Sequence, residues 1–120
     1  MASKKHRPDP RRGDVWRVDF PNRPDDPHLP RPAIVISNDR HNEFADTVLV
    51  IPVFNDDGLP KLLPTHIPIA KGTAGLTKNS RAMCEHIASI GKDRLVGTAL
   101  GVMPSVVLTA LVQGIKKAVE

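Results

Sequence analysis

Arg31 opens an apolar stretch, RPAIVISND (31–39), and stands between Pro30 and Pro32. A strand buried on both faces has no use for a cation at its mouth. Proline on either side stiffens the backbone around it. Arg31 is therefore either a solvated edge residue or the anchor of an anion site. Glu85 lies within RAMCEHIASI (81–90), among Met83, Cys84 and Ile87. A carboxylate in such company is paired, exposed on one face, or functional, and a lone glutamate on a strand is most often simply exposed. Asp26 and His28 share the stiff loop that leads to Arg31, although Asp26 beside Pro27 also reads as ordinary turn chemistry. A guanidinium with carboxylates nearby suits an anionic substrate and general acid–base chemistry.

Other chemistries find less support. The histidines are His6, His28, His41, His66 and His86, and no pair has the i, i+4 spacing of a helical zinc site. Cys84 is the single cysteine, so no internal disulfide forms, as suits a reducing compartment. One Cys/His pair, Cys84 and His86, supplies too few ligands for a metal, and none is expected. KGTAGLTK (71–78) lacks the Walker spacing, and no G-x-S-x-G elbow occurs. No cofactor is expected.

The elements that must hold these residues follow from patterning. A chain of 120 residues is one domain with a modest core. Residues 1–12 carry five Lys/Arg against Asp9, which accounts for the whole net charge of +4; residues 13–120 hold 12 basic and 12 acidic residues. The positive charge thus belongs to a tail, 1–11, read as disordered, with 12–120 as the domain. Such a tail can assist nucleic-acid binding but does not identify it. Strands are expected at 14–20, 33–37, 47–54, 65–70, 81–90 and 96–101. Pro52, inside the third, demands an edge or a bulge. Helical turns are expected near 40–45 and 92–95. A C-terminal helix begins at Pro104, with Met103, Val106, Val107, Ala110, Leu111, Ile115 and Ala118 on one stripe. The fold class is mainly β with one C-terminal helix, as a small, bent barrel or paired sheets. No apolar run reaches the roughly 18 residues that span a bilayer, and no secretory signal is evident. The expected location is the cytoplasm.

The order RRGDVWRVDF, a loop, RPAIVISND, a strand at 47–54, LPTHIPI, GLTKNSRAMCEHIASIGKDRL and a terminal amphipathic helix resembles the MazF/PemK/Kid toxins over residues 11–119. The resemblance implies an SH3-like β-barrel, a homodimer, and metal-independent, sequence-selective cleavage of single-stranded RNA. It also implies a cognate antitoxin protein that covers the RNA groove. Arg31 matches the family's catalytic arginine, Glu85 the acidic residue used as a base, and Asp26 an acidic loop residue, although the usual loop is replaced by PDDPHLP. His28, Phe54, Asn55, Ser80 and Arg81 are the residues expected to meet RNA. One departure matters: many members carry Ser or Thr where this chain has Phe54. A phenyl ring cannot donate a hydrogen bond, so Asn55 or a shifted register must supply the donor, or catalysis is altered. Phe54 could instead stack on a base or pack in the core. Two other readings share this barrel: the gyrase-poisoning, CcdB-like class, whose tryptophan-containing tail is missing here, and a non-catalytic barrel that binds RNA or a protein.

Overall fold

Apolar stretches over 14–18, 31–35 and 47–55 form the three central strands of an antiparallel sheet. The computed structural model describes residues 9–21 and 30–120; Asp26 and His28 lie outside the described residues. The elements are β1 (Asp14–Val18), β2 (Arg31–Val35), α1 (Asp39–Phe44), β3 (Thr47–Asn55), β4 (His66–Ile69), β5 (Ser80–Met83), β6 (Ala88–Gly91), β7 (Leu95–Val102) and α2 (Ser105–Val119). Strand order is β4-β5-β3-β2-β1-β7, and β6 pairs with β3. The outer strands β4 and β7 are not joined, so the sheet is barrel-like without closing. Mainly β with one C-terminal helix is the observed class, as the patterning implied.

The central strands bury both faces, which is why they read as nearly continuous apolar runs. Val15, Ile34, Ile51 and Val53 face one core cluster, which includes Leu108 and Leu111 of α2. Trp16, Val18, Ala33, Val35, Val48 and Val50 face a second, with Ile90 and Leu95. A one-residue slip would exchange these sets, so the register is strongly fixed. Asn38 caps α1, its side-chain Oδ1 accepting the His41 N–H at 2.8 Å.

Three expectations are corrected. Residues 81–90 are not one strand: a 3-10 turn, Cys84–His86, separates β5 from β6. Both halves pair with β3, β6 with Thr47–Val50 and β5 with Val53–Asn55. The break falls opposite Ile51 and Pro52. Ile36 N–H donates to Leu49 O, and by alternation the N–H that Pro52 lacks would point toward the break. The proline thus sits where no ladder partner is needed. The turn also separates Cys84 from His86: the first is buried and the second exposed, not on one face as in a continuous strand.

The second correction concerns the tail. Pro10 is buried, Lys92 pairs with Asp9 at 3.3 Å, and Arg11 pairs with Asp39 at 3.0 Å. Residues 9–11 thus pack against the rest of the protein instead of standing apart from it. The third concerns the phase of α2. Its buried seam is Leu108, Leu111 and Gly114, while Val106 is 73% exposed and Ala118 is also exposed. The helix is apolar around much of its girth, so periodicity admits more than one phase. The tightest contact selects one: a Cβ on Gly114 would lie 2.5 Å from Cys84 Sγ. That glycine lets α2 lie directly on the 3-10 turn, where Cys84 Sγ–H donates to Leu111 O at 3.6 Å.

Candidate active site

The β2–β3 register pairs Ala33 with Pro52, and its continuation sets Arg31 opposite Phe54. Arg31 Cζ lies 4.2 Å from the centroid of the Phe54 ring, within cation–π range. The phenyl ring thus holds the guanidinium from below. On the other strand, β5, the partner of Phe54 is Arg81. Beyond β5 the chain enters the 3-10 turn, which presents Glu85 and His86. The His86 ring lies 6.1 Å from that of Phe54, tilted by 56°. His86 Nε2 is 3.9 Å from Glu85 Oε2. Arg31, Phe54, His86 and Glu85 therefore form one continuous surface cluster.

Glu85 is held from behind by β4. The β4–β5 register sets His66 opposite Met83, beside the turn. Cys84 N–H donates to Thr65 O at 3.0 Å and pins the turn to that strand. Thr65 Oγ1 donates to Glu85 Oε1 at 2.7 Å, and His66 Nε2 lies 2.8 Å from Oε2. Leu63 N–H donates to His66 Nδ1 at 3.2 Å, and Arg81 reaches the same nitrogen at 3.2 Å. Both neighbours of Nδ1 are obligate donors, so Nδ1 accepts, and the imidazole proton is assigned to Nε2, facing Glu85. Arg81 Nε in turn donates to Asp56 Oδ1 at 2.6 Å. Partial burial raises the Glu85 pKa, but the bonds from Thr65 and His66 outweigh it, and the net shift is downward.

Of the residues singled out in the sequence, Arg31, Phe54 and Glu85 come together. Asn55 is exposed next to them, its Oδ1 accepting the Asp57 N–H at 3.0 Å, and it lines an open groove of about 580 Å³ with Lys71, Lys78 and Asn79. Ser80 and Arg81 turn inward. Ser80 Oγ donates to Lys78 O at 2.8 Å, and the Arg81 side chain is only 4% exposed. Both side chains are thus largely engaged within the protein. Cys84 is fully buried, and burial first, then the Glu85 charge, pushes its thiol up to about 11; it is no nucleophile near neutral pH.

Sequence reasoning missed His66, Thr65 and His86 as members of this cluster. The adjacency of His86 to Glu85 was a visible signal. The His66–Glu85 contact joins residues 19 apart and depends on the strand break. Among the described residues, no three His, Cys, Asp or Glu side chains converge as metal ligands. Among the same residues, no helix is long and apolar enough to cross a membrane.

Residues 11–119 match the family described as PemK-like, MazF-like toxin of type II toxin–antitoxin system. The chain is 36% identical over 92 residues to endoribonuclease MazF9 of Mycobacterium tuberculosis, covering 72% of this chain and 76% of that protein. It is 37% identical over 87 residues to endoribonuclease MazF of Staphylococcus epidermidis, with 71% of each covered. In structure it resembles MazF from Deinococcus radiodurans, with a TM-score of 0.73 at 18% identity over 92% of this chain and 96% of that one. It also resembles a mycobacterial endoribonuclease solved with its cognate antitoxin, with a TM-score of 0.72 at 22% identity over 91% and 93%. At such identities the solved structures speak for the fold, and the family match over nearly the whole length speaks for descent. The chain belongs to the PemK-like, MazF-like toxin family of type II toxin–antitoxin systems.

Proposed function

We propose that this protein is the toxin of a toxin–antitoxin pair, a cytoplasmic endoribonuclease that cleaves single-stranded RNA without a metal ion. The observation that carries this reading is the contact chain Arg31–Phe54–His86–Glu85, together with family membership. RNA brings its own nucleophile. The Glu85 carboxylate takes the proton of the 2′-hydroxyl, and that oxygen attacks phosphorus. Arg31 faces the charge growing on the phosphoryl oxygens with two donors. The bond to the 5′-oxygen breaks, and His86, 57% exposed beside Glu85, donates the proton that this oxygen needs. The products are a 2′,3′-cyclic phosphate and a 5′-hydroxyl. Asp26 and His28, in the segment that precedes Arg31 in sequence, are assigned to assist binding or proton transfer. Phe54 and Asn55 are assigned to base stacking and contact. Ser80 and Arg81 are assigned an indirect part in RNA binding, as the frame of the groove.

The lowered pKa of Glu85 keeps its carboxylate ionised, while making it a weaker proton acceptor. With Phe54 taken to stand where many relatives carry a hydroxyl, the role of a phosphate donor is assigned to Asn55 or His86. A homodimer and a cognate antitoxin complete the reading, the antitoxin being supported by the complex known for the mycobacterial neighbour. The test is incubation with RNAs of mixed sequence in EDTA and mass analysis of the ends. Cyclic phosphate and 5′-hydroxyl ends are expected. Ends bearing a 5′-phosphate would contradict the mechanism, and binding without cleavage would favour a non-catalytic barrel.

A further inference from the structure

The least expected feature is a row of polar groups that starts at the site, passes through the interior and ends on a half-exposed carboxylate: Glu85, His66, Arg81 and Asp56. The two middle members are the most buried, with side-chain exposures of 6% for His66 and 4% for Arg81. Burying an arginine and an imidazole in a small domain is unfavourable unless every donor is directed. Here the direction is specific. Arg81 is fixed on one side by Asp56 and spends another N–H on His66 Nδ1. The Leu63 N–H meets the same nitrogen. Nothing is left for that nitrogen but to accept, so the imidazole points its one proton at Glu85 Oε2.

We propose that His66 is a positioning residue, which holds the Glu85 carboxylate in place and ionised, and that Arg81 and Asp56 fix the tautomer through which it does so. The inference rests on the reading of Glu85 as the general base. His66 itself is too buried to meet substrate. The groups facing Glu85 are Thr65 and His66 from the β4 side and His86 and Cys84 from its own turn; Arg81 and Asp56 act through His66. With two side-chain donors on its two oxygens, the carboxylate cannot rotate freely, and both donors favour the charged form. This assigns a use to Arg81 other than contact with RNA.

The substitutions His66→Gln and His66→Asn separate this role from packing. The Gln amide reaches the position of Nε2 and can still donate to Glu85. The Asn amide reaches only the position of Nδ1. The pH profile of kcat/KM should keep its acid limb in His66→Gln. The limb should move to higher pH in His66→Asn and Thr65→Val, by about one unit, equivalent to roughly tenfold lost activity on the acid side. Activity at the alkaline end should recover. A ¹³C NMR titration of the Glu85 carboxyl should show the same displacement without any RNA. An unmoved titration in His66→Asn, or equal displacement in both variants, overturns the inference. Absence of RNA cleavage by the wild type would refute the enzyme reading alone, since the NMR result stands apart from it.

Discussion

At the residue scale, function turns on which side chains were readable singly and which only in pairs. Arg31 stood out as a candidate because a cation between two prolines at the head of an apolar strand has few structural uses. Glu85 read on its own as an ordinary exposed glutamate, and only the family resemblance marked it as a base. His66 was not readable, since a lone histidine in THIPIA carries no sign that a glutamate 19 residues away waits for its proton. Phe54 was read as a departure from the family pattern, and in the structure its ring centroid lies 4.2 Å from Arg31 Cζ. Phe54→Thr therefore exchanges a cation–π support for a hydroxyl. If the hydroxyl is what this chain lacks, kcat should rise; if the support matters more, kcat should fall, with Arg31 less ordered by NMR. We expect a fall, because cation–π contacts of this kind are worth about 0.5–2 kcal/mol. Glu85 also links the site to stability. Its folded pKa lies below the ordinary glutamate value, so the unfolded chain binds its proton first as pH falls. Its stabilisation is present above the ordinary range and lost as pH drops through the folded value. Denaturant titrations should therefore show a steeper acid loss for wild type than for Glu85→Gln.

At the element scale, the strand that divides is the key to the site. A ten-residue segment with turn formers at both ends reads as one strand, and local propensity cannot see that its partner β3 carries Pro52 at mid-length. The break lets one edge of β3 serve two short strands and pushes Cys84–His86 out of the sheet. The helix phase failed for a related reason. Apolar residues lie on more than one face of α2, and Gly114 marks the face that approaches Cys84. This contact ties the terminal helix to the turn that bears Glu85. Gly114→Ala should therefore act twice. The methyl would overlap Cys84 Sγ and cost about 1–3 kcal/mol of stability by thermal or chemical unfolding. It should also lower kcat more than it raises KM, because the turn shifts while Arg31 remains. Wild-type stability with altered activity, or the reverse, would break the proposed link between helix and turn.

At the scale of the whole molecule, the legible part of the fold was its class and strand sequence, because two-sided burial writes itself as apolar runs and prolines and glycines punctuate them. Less legible was how the sheet ends, since closure depends on distant edges and no local pattern records that β4 and β7 remain apart. The charge distribution was plain: residues 1–12 carry +4 and residues 13–120 sum to zero. Its expected consequence is that removal of residues 1–8 weakens RNA binding mainly at low salt and leaves the cleavage pattern unchanged, read from binding curves at several salt concentrations. The central claim concerns neither tail nor partner but the single guanidinium at the head of β2. Its most direct test is single-turnover cleavage of a mixed-sequence RNA in EDTA by wild type and by Arg31→Ala, with folding of both verified by circular dichroism. The account predicts cleavage by wild type and a loss of about 10²–10³-fold in Arg31→Ala. Equal rates for the two proteins would contradict it.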